Sequence, residues 1–491
     1  MKQASMTQSL RMTAIAMSIA LAGCAFAPPA KPPTPPAPKS YAADPTPASS
    51  SQADGVAQRF SLGARAVPDW WRLYQSDTLN AWVAEGLQNN PSLDAAKHSL
   101  EAAHQLLRAQ IGESMLPSLD AGGQATRQRA LGLPSFGPPT NLYNVYAGQL
   151  QLGYNFDLFG ATRHSVEQAT AQVDQQSYEL DAARRTLAAN IVIVAINAAA
   201  LAEQVSTSER LSALAHEQAE LTERANRLGA ASHDEVLAAQ QNAATLDTSL
   251  PPLRTQAQRA RHTLAVLMGR TPDQAPSNLT LSQLHLPADV PLSIPSELLQ
   301  QRPDVLAAEA VVHAASAQVG VATANLFPHI SLSASLGSAA FRRAALFTGA
   351  GSIWSAGVSL TQPIFHGGAL LAQRKAAVAS YDAALAQYRQ TVLHAFEDVA
   401  DSLTALNQDA LTLQSAQAAA TAAQESFKNT DARYRLGSAA YPTTVLGEQR
   451  WQNAKLSEIQ ARAARLADTA ALFQAMGMAP AEAKGAAQGT R

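Results

Sequence analysis

The sequence predicts a mainly α-helical protein with a small β portion suited to a membrane barrel, built from one β-β-α hairpin unit used twice. Three observations predict it. Proline and glycine landmarks recur in the same order in both halves of the chain. Each half holds a long proline-free window in which bulky aliphatics return every seven residues. Short segments of two-residue alternation precede each window.

The N-terminus predicts export. Lys2 and Arg11 are basic, Met12 to Ala20 form a short apolar run, and Leu21-Ala22-Gly23-Cys24 follows. This layout is that of a secretory signal, too short to span a membrane as a stable helix. The Leu-Ala-Gly-Cys stretch resembles the lipobox of bacterial lipoproteins. The resemblance implies that residues 1–23 are a signal peptide, with an S-diacylglycerol and an N-palmitoyl group on Cys24. Ala25 stands where an Asp tends to hold Gram-negative lipoproteins at the inner membrane, and so favours the outer membrane. Residues 24–55 are rich in Pro, Ala, Ser and Thr and are expected to be an unfolded tether. Residues 479–491 are expected to be a disordered tail.

The body reads as two repeats, about 70–280 and 290–478. Asn90-Pro91-Ser92-Leu93 returns as Arg302-Pro303-Asp304-Val305, and Leu116-Pro117 as Phe327-Pro328. Gly160, Gly229 and Gly269 return as Gly368, Gly437 and Gly477, each 208 residues on. Alanine-rich sequence imitates itself by chance, so the Pro and Gly matches carry the argument.

Within the first repeat, helix is expected over about 91–115, strands over about 117–127 and 146–157, and helices over about 161–228 and 233–268. In the second, the counterparts are about 303–326, 328–338, 352–363, 369–436 and 444–476. Strands follow from alternation. Leu150, Leu152, Tyr154 and Phe156 alternate with small or polar residues, as do Ile330, Leu332, Ala334 and Leu336, and Val358 and Leu360. One apolar and one polar face suits a wall between lipid and a wet lumen. The long helices follow from heptads at Val166, Val173, Leu180, Leu187, Val194 and Leu201, and at Leu371, Val378, Leu385, Val392, Val399, Leu406 and Leu413. A sustained seven-residue repeat imposes a left-handed supercoil, and at 1.5 Å per residue each helix would be roughly 100 Å long. Gly229 and Gly437 are expected to end these helices at hairpin tips. Pro251 and Pro252 are expected to kink or break the first returning helix. Four strands alone would expose two unpaired edges to lipid, so closure requires several copies of the chain.

Composition excludes several functions. A net charge of −2 offers no electrostatic case for nucleic acid. The one cysteine, Cys24, excludes an internal disulfide framework. Past the signal, the most apolar stretch, Ile191 to Leu201 interrupted by Asn197, reads as too short for a membrane helix, which leaves insertion to the strands. No G-x-S-x-G elbow, P-loop or G-x-G-x-x-G occurs. His216-Glu217 lacks the second His of a zinc-protease motif, and His98 and His104 do not share a helix face. No enzyme, cofactor or metal is expected.

With these residues in place the chain resembles the outer membrane efflux protein family, typified by TolC and OprM, in its lipoprotein, NodT-type branch. The resemblance runs from about Trp70 to Met476. It rests on Ile294-Pro295-Ser296-Glu297-Leu298-Leu299-Gln300-Gln301-Arg302-Pro303-Asp304, Ala324-Asn325-Leu326-Phe327-Pro328, Pro363-Ile364-Phe365-His366-Gly367-Gly368 and Tyr434-Arg435-Leu436-Gly437. It implies a homotrimer whose four strands per chain close a 12-stranded outer-membrane barrel, continued by an α-helical periplasmic tunnel. It further implies a passive duct for drugs and small toxic molecules, docked at its hairpin tips by a periplasmic adaptor and an inner-membrane pump of the RND type.

The gate departs from that family pattern. An Asp often follows the Val-Leu or Leu-Leu pair of the second hairpin, but here Gly447 follows Val445-Leu446, with Glu448 next and an extra tip residue near Pro442. Asp234-Glu235-Val236-Leu237 fits the pattern better. Glu235 and Asp234 are therefore candidates for a carboxylate ring that concentrates cations, with Glu448 a weaker one and Gly229, Tyr434 and Gly437 as tip residues. The competing readings are a type I secretion duct, a periplasmic coiled-coil envelope lipoprotein, and a pump adaptor. The scaffold reading does not explain the duplicated strands, and adaptors usually present one hairpin where this chain has two.

Overall fold

In the computed structural model, the elements run β1 (Arg59–Leu62), a 3-10 turn (Trp70–Tyr74), α1 (Asp77–Asn89), α2 (Pro91–Met115), β2 (Ser118–Leu131), β3 (Thr140–Phe156), α3 (Ala161–Arg227), α4 (His233–Leu267), β4 (Asp289–Leu292), α5 (Pro295–Gln301), α6 (Pro303–Ala324), β5 (His329–Ala340), β6 (Ser352–Thr361), α7 (Ala369–Arg435) and α8 (Tyr441–Ala475). The structure describes residues 27–29, 31–32, 38, 40–41, 48–64, 67, 69–131, 140–277, 279–346 and 348–477. The expected signal peptide, Cys24 and the expected tail lie outside the described residues, as does part of the expected tether.

The halves repeat one order of elements. α3 and α7 are 67 residues each, and α4 and α8 are 35 each. The described chain forms two compact units. One is built on residues 100–176 and 307–388, and the other on residues 48–99, 177–306 and 389–477.

The first unit carries the main sheet. Its four strands are antiparallel in the order β2-β3-β5-β6, with β2 and β6 at the edges. Register aligns Leu119 with Leu152, Leu150 with Leu336, Tyr154 with Leu332, and Ile330 with Leu360. Opposed residues share a face, so most of the bulky aliphatics gather on one side, with Val145 and Ile353 on the other. Leu119, Leu336, Val358 and Leu360 are each exposed by 60–70%. The β2–β3 ladder runs on to Leu131 and Thr140, further than alternation predicted, because Arg127 and Arg129 interrupt the apolar pattern without interrupting the backbone pairing.

The second unit holds the main helical core. Trp70 stacks on Phe473 at 5.2 Å between ring centroids, and the buried Tyr74 hydroxyl donates to the Leu466 carbonyl at 2.7 Å. A parallel pair, β1 with β4, was not expected; its four-residue strands are too short for alternation to register. Arg465, 1% exposed, donates to Gln58, Ala53, Ser50 and Val56.

The expected tether is docked where it is described. Tyr41 donates to the Ser293 carbonyl at 2.6 Å, Ser50 and Ala53 are buried, and Ser316 donates to the Pro28 carbonyl at 2.7 Å. Such a segment cannot build a core of its own, but it can cover one.

Several expectations need correction. α4 runs unbroken through Pro251 and Pro252. Both prolines are exposed, as is Thr248, one of the two residues whose carbonyls lose an amide donor to them, and Asp247, the other, is partly exposed. α8 begins at Tyr441, ahead of the expected start, because Pro442 fits a first helical turn. α3 and α6 are long and apolar enough to cross a membrane by length and composition, with 56% and 44% of the apolar window buried inside the protein. Counting bulky aliphatics alone missed the contribution of alanine. In α3, Ile191, Val192, Ala195 and Ile196 are fully buried, so much of this apolar stretch is packed interior.

The heptads divide by unit. Val392, Val399, Leu406 and Leu413 are buried, whereas Leu371 is 59% exposed and Ala377, Tyr381 and Tyr388 take the buried positions ahead of Val392. The buried seam of α7 therefore changes phase along the helix.

Candidate functional site: the helical hairpin tips

Both tips are closed by the same backbone device. Gly229 and Gly437 adopt φ of 73° and 75°, which a Cβ would strain. At the first tip, Ala230 N–H donates to the Ala225 carbonyl and Gly229 N–H to Asn226. At the second, Ser438 N–H donates to Arg433 and Gly437 N–H to Tyr434. These are paired Schellman closures that use up the last carbonyls of α3 and α7. The leucines just before them, Leu228 and Leu436, are 85% and 83% exposed.

The returning helices start differently. Ser232 caps α4 in a capping box. Its Oγ accepts from Glu235 N–H at 3.2 Å, and the Glu235 carboxylate accepts from Ser232 N–H at 2.6 Å. That backbone hydrogen bond, helped by the Ser232 hydroxyl, holds the exposed Glu235 carboxyl below the usual carboxylate range. Asp234 lies beside it in the same exposed first turn. α8 has no side-chain cap. Instead Tyr434 and Tyr441 pack with centroids 5.0 Å apart, and Tyr441 Oη donates to Glu217 Oε1 at 2.5 Å.

Glu448 is not a free acid. Arg210 grips it with Nε to Oε1 at 2.7 Å and Nη2 to Oε2 at 2.8 Å. The hydrogen bond to Glu448 raises the Arg210 pKa. Gly447 is buried, and a Cβ there would lie 3.6 Å from Phe427, whose ring stacks on Trp451 at 5.6 Å. An acid at 447 would therefore enter an aromatic contact. Arg210, Glu217 and Tyr441 were missed as site residues. The findable signal was spacing: 210 with 217 and 441 with 448 are each seven apart, as opposed positions on antiparallel helices must be.

The structure also brings together a Ser, a His and an Asp. Ser212 Oγ donates to Asp247 Oδ1 at 2.6 Å, and His216 Nε2 lies 2.8 Å from Asp247 Oδ2. The hydrogen bond from Ser212, then that from His216, lowers the Asp247 pKa. The wiring differs from a hydrolytic triad, because Asp247 sits between the other two and Ser212 bonds to the acid rather than to the imidazole. Its evident effect is to tie α3 to α4.

Comparison with known proteins decides the family. The profile of outer membrane efflux proteins matches residues 82–270 and 294–478, the same two stretches that carry the repeated elements. The chain belongs to the outer membrane efflux protein family. Nodulation protein T of Rhizobium leguminosarum bv. viciae is 29% identical over 456 residues, 91% of this chain and 89% of its own. The pyoverdine export outer membrane protein OpmQ of Pseudomonas aeruginosa is 30% identical over 425 residues, 84% and 88% of the two chains. Among solved structures, the outer-membrane channel OprN superposes with a TM-score of 0.75 at 26% identity, over 92% of this chain and 99% of its own. The outer membrane efflux protein described here is thus an outer-membrane channel of the efflux class that extends into the periplasm, with that family's fold of helical tunnel and β-barrel.

Proposed function

We propose that this chain is the passive exit duct of a tripartite efflux pump of the RND class, carrying drugs and small toxic molecules outward. One observation supports it above the rest: a four-stranded sheet with one apolar face and two open edges, whose strands lead into paired 67-residue helices. A homotrimer would close those edges into 12 strands, four from each chain. The duct itself consumes no energy, and work comes from an inner-membrane pump joined through a periplasmic adaptor. The exposed Leu228 and Leu436 suit the tips to that docking. Glu235 and Asp234 would supply a cation-concentrating ring at the entrance, while Glu448 serves to hold α8 to α3. Cleavage before Cys24 and its acylation would add a lipid anchor ahead of the two repeats, 70–280 and 290–478.

The test is a deletion strain combined with planar-bilayer recording of the purified protein. Expected results are lost tolerance to several unrelated drugs and a stable trimeric conductance. Unchanged tolerance together with no conductance would overturn the reading. Cross-linking from the tips in intact cells identifies the adaptor, and capture of a type I secretion adaptor would reassign the cargo.

A further inference from the structure

The sheet has a charge pattern that a channel wall does not require. From Ala121 to Phe156, and again from Ile330 to Phe365, the sequence contains no Asp, Glu or Lys. Its only formal charges there are Arg127, Arg129, Arg342 and Arg343.

Register shows where they lie. Arg127 is opposite Asn144 and Arg129 opposite Leu142, in a ladder that also pairs Leu119 with Leu152 and Ala125 with Tyr146. Residues two apart share a face, so Arg127 and Arg129 lie on the apolar side of the sheet, in line with Leu119. They sit at the end where β2 turns to β3, away from the ends that join the helices. Arg342 and Arg343 follow β5 at this same end, since Ala340 is level with Tyr146. Arg343 places its guanidinium 5.3 Å from the centre of the Tyr146 ring. Tyr146 is the diagonal neighbour of Arg127, about 7–8 Å away across an antiparallel pair. Arg127 and Arg343 thus approach one side chain, Tyr146, from different strands' ends, and all four arginines are exposed.

Their height matches a membrane boundary. From Phe156 to Asn144 the strand runs about 40 Å, or about 30 Å along the membrane normal at the usual barrel tilt. A hydrocarbon core is about 30 Å thick. Arg127 therefore stands where acyl chains give way to headgroups, and Arg129 just beyond. The arginine fork binds phosphate in bidentate fashion, and no carboxylate in these segments competes for it.

We propose that Arg127, Arg129, Arg342 and Arg343 form a docking surface for phosphate-bearing lipid headgroups of the outer leaflet, whose acyl chains lie on the exposed apolar band that includes Leu150, Leu336 and Trp354. The inference rests on the outer-membrane placement of the sheet, with its turns facing outward.

The experiment uses the full-length protein in phosphatidylcholine vesicles, titrated with fluorescent bis-phosphorylated lipid A or its dephosphorylated form. Wild type is expected to bind the phosphorylated form at least about ten-fold more tightly, and the Arg127→Gln/Arg129→Gln/Arg342→Gln/Arg343→Gln variant to lose that preference. Inorganic phosphate is expected not to compete. Equal binding of both lipids, or an undiminished preference in the variant, overturns the proposal; full competition by inorganic phosphate makes this a free-anion site and overturns it as well. Conductance in phosphatidylcholine alone, expected unchanged, reports separately on the channel, so a wild type that forms no channels discredits the duct and not the lipid site. Should the quadruple variant fail to assemble, Arg342→Gln/Arg343→Gln alone is expected to cost about three-fold in lipid affinity, and no loss in that variant overturns the proposal equally.

Discussion

Arg210 of α3 and Glu448 of α8 form a bidentate ion pair at 2.7 and 2.8 Å, and Glu217 and Tyr441 form a second link seven residues along both helices. The second hairpin is thereby fastened to the first long helix at two points of one register, about two helical turns apart. Arg210 is half-exposed and Glu448 mostly covered, so the ion pair is worth about 1 kcal/mol. A double-mutant cycle with Arg210→Gln and Glu448→Gln, read by thermal dissociation and by protease cutting near residues 436–440, is expected to return that coupling. Each single variant should cut faster than wild type. A coupling near zero would mean that the contact does not fasten the tip.

Glu235 allows charge and structure to be separated. Gln in its place still accepts the Ser232 N–H and so keeps the capping box, while the charge is removed. Glu235→Gln is therefore expected to keep the fold, with only the small loss that removing a charge from the helix N-terminus brings, and to weaken the cation preference of single channels. The hydrogen bond from Ser232 lowers the Glu235 pKa, so the wild-type preference should persist to a more acidic pH than an ordinary Glu would allow. Unchanged selectivity in the variant removes Glu235 from the entrance ring.

Asp409 of α7 predicts an unusual pH dependence. Burial, then a hydrogen bond and charge repulsion from Asp468, push its carboxyl up to about 7, with Arg465 opposing. The unfolded chain holds such a group near 3.9. Between these values the native state binds the extra proton, so stability falls as pH rises from about 4 through 7. The dissociation temperature is expected to drop across that window and to level off above it. Asp409→Asn, which keeps a donor toward Asp468, should flatten the curve. A wild-type curve already flat between pH 5 and 8 contradicts the shared proton.

These contacts mark how far the sequence could be read. The long helices, the Gly229 and Gly437 tips and the sheet were legible because each depends on local pattern: heptads, a left-handed glycine, alternation. The Asp409–Asp468 pair and the Arg465 cluster were not, because they join residues far apart in sequence whose types are ordinary on a helix surface. Gly447 was legible as a departure from the family, but its burial against Phe427 was not. Pro251 and Pro252 misled for a related reason, since the rule for interior prolines says nothing about which face the freed carbonyls meet.

Cys24 raises the question of what an anchor adds to a barrel. One acyl chain holds a protein only marginally and several hold it firmly, yet a closed trimer of these sheets would stay in the membrane without any lipid. Pro28 and Pro29 are already bonded to Ser316 and Tyr381 of α6 and α7, so conduction does not need Cys24 to position the chain. The lipid should matter earlier, while a monomer with two open edges, β2 and β6, waits at the membrane for its partners. Cys24→Ser is therefore expected to lower the amount of assembled trimer in the outer membrane severalfold and to leave single-channel conductance unchanged in the trimers that form. Membrane fractionation and single-channel recording of the same preparation separate the two effects. Abnormal conductance in assembled mutant trimers would show that the lipid acts on the finished channel after all.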